Sequence, residues 1–164
     1  SKMSMERLII ARHAVCILDV EGDYGVLARL PGVTSVGIDA PRDVERALRL
    51  LERDPAASLV LDLSALTHAG KLEAVEQGLH LVRALRQRIG RPHWVLLDEA
   101  HYTLHRSGVS GDLGIAEDRG FCLATYRPSW LRDDIMAAVD IFVLARTTAA
   151  AEIEARCPEM PTMR

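Results

Sequence analysis

The sequence predicts an α/β fold in which a mainly parallel β-sheet is sandwiched between helices. Two observations lead to this prediction. Short apolar runs alternate along the chain with longer segments whose apolar residues recur every three or four positions, as in amphipathic helices. The apolar runs are continuous instead of alternating with polar residues, which is typical of parallel strands buried on both faces. We therefore expect a single domain over residues 1–164, without internal repeats or linkers.

The first half of the chain contains three predicted strands and two predicted helices. The strands are the apolar runs, and the second helix begins at Pro41, a residue suited to the first helical turn. The apolar residues of that helix, at three- and four-residue spacing, form one face that should pack on the sheet. In chain order these elements are Met5–Arg12 (helix), Ala14–Asp19 (strand), Val33–Ile38 (strand), Pro41–Arg53 (helix) and Ser58–Leu63 (strand).

The second half continues the alternation. A long helix ends near Gly90, because glycine is common just after the last helical turn. Three more apolar runs follow, and a Gly/Ser loop and a helix separate the first of them from the second. In chain order these elements are a helix with the inner face Leu72, Val75, Leu79 and Val82, a strand ending at Asp98, the loop Ser107–Gly111, and the strands Phe121–Thr125 and Ile141–Ala145.

Composition excludes a membrane-embedded chain and disfavours nucleic-acid binding through overall charge. No apolar stretch approaches the roughly 20 residues that cross a bilayer, and residues 1–7 lack the apolar core of a signal peptide. The formal net charge of −3 gives no general attraction for nucleic acid. The three cysteines are odd in number and widely spaced, which favours a reducing compartment. We therefore expect a soluble, cytoplasmic protein.

The most informative segment is His93–His105, where an apolar run ends in two adjacent carboxylates, Asp98 and Glu99. Ligands of open parallel sheets bind at the carboxyl ends of the strands, so Asp98 should lie at that edge. One carboxylate can hold Mg²⁺ through its water shell, while the next can orient or deprotonate an attacking water. The same pair can also simply cap the helix that follows, and these residues alone leave both interpretations open.

Two other kinds of site compete for the same residues. His101 and His105 are four residues apart near the acidic pair and could bind a transition metal, but no cysteine or third histidine follows at ligand spacing. Strands ending at Asp19, Asp62 and Asp98 are also typical of phosphoacceptor receiver domains. A receiver needs a clustered acidic pair at the end of its first strand and a lysine late in the chain, whereas the only lysines are Lys2 and Lys71.

Three further segments add polar residues at the same edge of the predicted sheet. They follow the first strand (Asp-Val-Glu-Gly-Asp-Tyr, 19–24), the fifth strand (Thr-Tyr-Arg-Pro-Ser, 125–129) and the last strand (Ala-Arg-Thr, 145–147). In this order, with the acidic pair between them, they make the chain resemble the P-loop ATPases of the HerA and FtsK kind, which belong to the additional-strand, catalytic-glutamate division. The resemblance spans Glu6–Thr148 and implies a P-loop NTPase (RecA-like) fold.

The resemblance also implies roles for individual residues. Asp98 would support Mg²⁺, and Glu99 would activate the attacking water. Thr125 would belong to a sensor of the transferring phosphate, whose charge Arg127 or Arg146 would stabilise, within one subunit or from a ring neighbour. The implied ligands are ATP and Mg²⁺, and DNA enters as a partner only by analogy with the family. The nucleotide-binding residues implied for the segment after the first strand are Asp19, Glu21 and Asp23.

The chain departs from the family pattern at three places. Val20 stands where proline is usual, and Tyr126 replaces the glutamine of the sensor. No Gly-x-x-x-x-Gly-Lys-Ser/Thr occurs, and that loop supplies the amides and the lysine that cradle phosphates. Two hypotheses follow. The chain is the Walker B half of an N-terminally incomplete ATPase domain, lacking the strand that carries the loop, or it is a non-catalytic interaction module on a degenerate ATPase scaffold.

Overall fold

A computed structural model describes residues 2–106 and 113–143. Within them the chain forms an α/β structure around a five-stranded sheet in which every pairing is parallel, with the strand order β2-β3-β1-β4-β5. The elements are α1 (Lys2–Ile10), β1 (Val15–Asp19), β2 (Val33–Gly37), α2 (Asp43–Arg53), β3 (Ser58–Asp62), α3 (His68–Ile89), β4 (Trp94–Leu97), β5 (Phe121–Leu123) and α4 (Asp133–Ala137).

The sheet is covered on both faces, as the continuous apolar strands predict. Successive strand residues point to opposite faces, so Cys16 and Leu18 of β1 pack into the core formed with α2 and α3. Val15 and Ile17 of the same strand pack into a second core with α1. All five residues of β1 are buried, which explains why this central strand carries no polar residue before its last position.

The long helix α3 lies against β1 and is capped at both ends. The Thr67 hydroxyl accepts a hydrogen bond from the Gly70 N–H, and Gly90 ends the helix with a left-handed φ of 69°. Gly78 faces the sheet, and a Cβ at this position would lie 3.1 Å from a Leu18 methyl group. The close approach of α3 to the central strand therefore depends on the missing side chain of Gly78.

The strand register aligns the strand ends that the sequence singles out. Asp19 pairs with Asp62, and Leu18 pairs with Leu97, so that Asp98 follows at the same level. Hydrogen bonds continue past the paired strands: the Asp98 N–H donates to the Leu18 carbonyl, and the Ala124 N–H donates to the Leu97 carbonyl. The ends of β1, β4 and β5 therefore lie at one edge of the sheet, whereas the predicted polar segment 145–147 lies outside the described residues.

Two predicted elements are wrong in the described part of the chain. Residues 113–120 form turns and no helix, because Gly114 and Gly120 hold left-handed φ values of 66° and 79° that interrupt helical geometry. Residues 141–143 form no strand, and Ile141 and Val143 are 79% and 90% exposed. An apolar run becomes a strand only beside a neighbour that accepts its backbone hydrogen bonds. The rest of the predicted strand at Ile141–Ala145 lies outside the described residues.

Other bounds differ only slightly. The strand predicted over Phe121–Thr125 ends at Leu123, which leaves Thr125 in the turn that follows. The predicted loop Ser107–Gly111 and Arg146 both lie outside the described residues. In the described ranges, no helix has both the length and the apolar composition needed to span a membrane.

We expect Gly78→Val to destabilise the fold by about 1–3 kcal/mol, because the added methyl groups would overpack the contact between α3 and Leu18. The matched control is Gly37→Val in β2, where a Cβ has no heavy atom within 4 Å. Urea unfolding would measure both. Equal midpoints for the two variants would contradict the close packing of α3 on β1.

Candidate functional site

The site lies where β1, β4 and β5 end. Asp98 and Glu99 follow β4, the middle strand of the three, with Asp19 at the end of β1 on one side and Thr125 just beyond β5 on the other. The structure thus brings together four of the residues that the sequence predicts as a site. Each ends or follows a strand of the parallel sheet, so the hydrogen bonds between the strands fix the backbone at this edge.

Asp19 organises the loop that follows β1. Its side chain is fully buried, and one oxygen accepts the N–H groups of Gly22 and Asp23, at 2.9 and 3.0 Å, while the other accepts that of Tyr24 at 2.8 Å. Gly22 has a φ of 82°, which lets the chain curl around the carboxylate. Both Asp19 oxygens therefore bind the protein's own backbone, and Asp19 fixes the conformation of the loop beside the acidic pair.

Tyr24 extends this arrangement to the acidic pair. The residue is buried, its N–H is held by Asp19, and its hydroxyl donates to the Asp98 Oδ1 atom at 3.3 Å. A chain of contacts thus runs from the end of β1 to the end of β4. Sequence reasoning missed Tyr24 as a site residue. The only indication was its place at the end of the segment 19–24, since the reach of a side chain across two strands is set by tertiary structure.

Glu99 has an unusual backbone. Its φ is 48°, in the left-handed region that costs a residue with a Cβ roughly 1–2 kcal/mol. Its carbonyl accepts the Tyr102 N–H at 2.9 Å, which closes a turn directly after the strand. The acidic pair therefore begins a turn rather than a regular helix, and the helix-capping interpretation loses its main support.

His101 connects Glu99 to the next strand. Its side chain is fully buried, and Nδ1 lies 3.2 Å from Glu99 Oε2 and 2.9 Å from the hydroxyl oxygen of Thr125. The same Thr125 oxygen accepts the N–H of Arg127 at 3.0 Å. His101 belongs to this network rather than to a metal site. Among residues 2–106 and 113–143, no three histidine, cysteine or acidic side chains are grouped so as to hold a metal ion.

The carboxylates at this edge raise one another's pKa values. Burial raises the pKa of Asp98, and the negative charges of Asp19 and Asp23 add to the effect, against the hydrogen bonds from the Glu99 N–H and from Tyr24. Burial also raises the pKa of Glu99, as do the charges of Asp98, Glu21 and Asp23. The ionised carboxylates therefore reduce the free energy of unfolding, and a bound cation would offset this reduction.

The pKa of Asp19 is also raised, first by its burial and then by the charge of Asp62. Its three backbone hydrogen bonds act in the opposite direction, because N–H donors favour the charged form of a carboxylate. Burial thus outweighs three favourable contacts.

Of the other predicted site residues, Glu21 and Asp23 are exposed at the edge and Arg127 is partly buried. Glu21 forms an ion pair with Lys71 at 3.4 Å, beside a cavity of about 150 Å³ lined by His68, Leu72 and Tyr102. Asp23 is exposed, and its backbone N–H binds Asp19. The Arg127 guanidinium lies 4.1 Å from the centre of the Trp130 ring and 5.3 Å from that of Tyr126. Arg127 therefore packs on aromatic rings and does not contact the carboxylates.

The donor set fits Mg²⁺ only as part of a magnesium–nucleotide complex. Mg²⁺ commonly takes one or two carboxylates from the protein and its remaining ligands from water and phosphates. Asp98 can supply such a carboxylate, since its hydrogen bond to Tyr24 occupies one of its two oxygens. A binding site made of protein groups alone would need more ligands than the described residues bring together here.

We expect Asp98→Asn to raise the melting temperature at neutral pH, because it removes a charge that is buried and repelled by Asp19. The folded-state pKa of Asp98 is raised, so the penalty is absent below the unfolded pKa of about 3.9 and grows as the pH rises through the folded value. A gain of roughly 2–4 °C at pH 7, corresponding to about 1 kcal/mol, should shrink towards about pH 4. Scanning calorimetry across this range would measure it.

The control for this prediction is Asp39→Asn, which changes an exposed carboxylate just beyond β2 at the same edge of the sheet. If both variants changed stability equally, or if the gain from Asp98→Asn did not depend on pH, burial of the Asp98 charge would not be the cause.

Two comparisons with known proteins bear on the site. No protein-family model matches this chain, and no curated protein matches it significantly in sequence. The interpretation of the acidic edge therefore depends on the geometry described above and on the motif resemblance.

Proposed function

We propose that this chain is the acidic half of a P-loop ATPase domain of the HerA and FtsK kind, and that the complete domain hydrolyses ATP in a Mg²⁺-dependent reaction. The observation that carries the proposal is the position of Asp98 and Glu99, adjacent carboxylates at the end of β4, between Asp19 and Thr125 on the neighbouring strands. This is the edge at which parallel α/β sheets bind their ligands.

Each residue of the edge has a chemical role in this proposal. Asp98 would hold Mg²⁺, which when bound neutralises phosphate charge in the transition state. Glu99 accepts the proton of the attacking water, and its raised pKa makes it a stronger base than an exposed glutamate. Thr125 lies one strand away, and in the proposal its segment contacts the transferring phosphate as a sensor. Arg127 would have to leave the Trp130 ring to neutralise phosphate charge, and Arg146 is assigned the same role by resemblance alone.

The proposal includes a strand that the described residues, 2–106 and 113–143, do not supply. The family resemblance predicts a sheet without the interior strand that carries the phosphate loop. Two features of the described residues support this. Every residue of β5 is only partly buried, whereas interior strands such as β1 are fully buried. The apolar residues 141–143 lie exposed and outside the sheet. A strand supplied from elsewhere would give both segments a neighbour.

The second candidate is a non-catalytic interaction module on the same scaffold. It is favoured by the missing Gly-x-x-x-x-Gly-Lys-Ser/Thr loop and by Tyr126 in place of the sensor glutamine. It is also favoured by Asp19, whose buried side chain already accepts three hydrogen bonds from backbone N–H groups. In this candidate the acidic edge has no role in binding.

The proposal also covers location and partners. We place the protein in the cytoplasm, and we propose that it assembles with further copies or with a partner domain that completes the site. DNA is a partner by analogy with the family only. The composition supports the location through the widely spaced cysteines, and the acidic net charge gives DNA binding no support.

We expect millimolar Mg-ATP to raise the melting temperature of this chain, because a ligand at 100 times its dissociation constant stabilises the folded state by about 2.7 kcal/mol. Thermal unfolding should be measured with Mg-ATP, with Mg²⁺ alone and with ATP plus EDTA. Only the complete complex should produce the full rise, since the described residues bring together too few ligands for the ion alone.

The matched variants are Asp98→Asn, which should lose the ligand-induced rise, and Asp39→Asn, which should keep it. The rise is compared within each variant, because Asp98→Asn changes the baseline stability. No rise in a version of the chain that supplies the phosphate loop would favour the interaction module, and an equal rise in both variants would place the nucleotide elsewhere. In a version that supplies the phosphate loop, Glu99→Gln should abolish turnover and preserve binding.

A further inference from the structure

We propose that His101 is a positioning residue that makes the orientation of the Glu99 carboxylate depend on Thr125, across the adjacent strands β4 and β5. Its catalytic meaning rests on the proposed function, because Glu99 is the base of the proposed reaction. The link itself is a property of the folded chain without any nucleotide.

One ring atom faces both partners. The Nδ1 atom of His101 lies 2.9 Å from Thr125 Oγ1, with which it forms a hydrogen bond, and 3.2 Å from Glu99 Oε2. The Glu99 oxygen is buried and makes no hydrogen bond with the described residues, although the ring nitrogen is within ion-pair distance. When Nδ1 carries the ring proton, the Thr125 hydroxyl oxygen and the Glu99 carboxylate compete for that proton, and a change at one alters what the other can bind.

The ring is held in place from several sides. The centre of the His101 ring lies 4.5 Å from that of Tyr102, 4.6 Å from that of Tyr126 and 5.9 Å from that of Trp130. Its side chain has no exposed surface. Such packing restricts rotation of the ring, so that Nδ1 stays fixed while its two partners can move.

Thr125 connects this contact to the sensor segment. Its oxygen accepts the Arg127 N–H at 3.0 Å, so a displacement of residues 125–127 changes the hydrogen bond that occupies Nδ1. Glu99 would then gain that nitrogen as a partner. Its left-handed φ of 48° stores backbone strain at the residue whose side chain would move. A phosphate contacting residues 125–127 would in this way reorient the base.

The first test measures the ring nitrogens of His101 by NMR, with long-range ¹H–¹⁵N correlation on the nucleotide-free chain. Glu99→Gln and Thr125→Val should each shift the Nδ1 resonance more than the Nε2 resonance, because both partners contact Nδ1. The control Asp39→Asn changes an exposed carboxylate at the same edge and should leave both resonances in place. His101→Asn identifies the signal by removing it. If the Nδ1 chemical shift did not change in Glu99→Gln or in Thr125→Val, the proposal would be overturned.

The second test is a double-mutant cycle in urea unfolding. The combined Glu99→Gln and Thr125→Val change should shift the midpoint by an amount different from the sum of the single shifts, because the two side chains share one partner. In a His101→Leu background the shifts should become additive. In His101→Asn, whose amide nitrogen takes the place of Nδ1, they should remain non-additive. Additivity in the wild-type background would also overturn the proposal.

Neither test contains nucleotide, so failure of this inference and failure of the proposed function can be told apart. A coupled His101 together with no Mg-ATP response in the version that supplies the phosphate loop would contradict the proposed function alone. Mg-ATP binding without coupling between Glu99 and Thr125 would contradict the positioning role of His101 alone. If His101→Leu does not fold, the NMR measurement on the single variants still decides.

Discussion

Burial of the Asp19 carboxylate is the constraint on which the acidic edge depends. A charged group without surface exposure must be satisfied by hydrogen bonds, and three consecutive backbone N–H groups satisfy this one. For these N–H groups to point at the carboxylate, the chain turns at Gly22, which has a φ of 82°, and Tyr24 comes close to the end of β4. The hydroxyl of Tyr24 then reaches Asp98. One buried carboxylate thereby determines the shape of the first loop and fixes one side of the acidic pair.

The other side of the pair is fixed by the next strand. Asp98 and Glu99 follow β4 at the level where β5 ends, and His101 reaches from the turn to Thr125. The pair is thus held by tyrosine from β1 and by histidine and threonine towards β5. Such support on both sides is what a site needs to keep its groups in a productive geometry, and it comes from the buried Tyr24 and His101 and the partly buried Thr125.

The sequence predicts the frame of this arrangement better than its interior. Continuous apolar runs identify the strands correctly, because burial on both faces leaves a local pattern, and Gly90 marks the end of α3 for an equally local reason. The carboxyl edge follows from the parallel topology. The contacts of Tyr24 and His101 could not be predicted, since they depend on which strands become neighbours. The strand predicted at 141–145 is wrong over 141–143 for the same reason: an apolar run needs a neighbour to pair with.

The physical cost of the acidic edge bears on the choice between an ATPase half and an interaction module. Asp19, Asp98 and Glu99 have raised pKa values, and Glu99 also has a left-handed backbone conformation. These features reduce the stability of the folded chain. A scaffold that only presents a surface gains nothing from them, and a single Asp98→Asn change would relieve part of the cost. Local departures from the most stable choice are typical of sites under functional constraint. Concentrated at the one edge where parallel sheets bind ligands, they favour a working cation–nucleotide site over a relic.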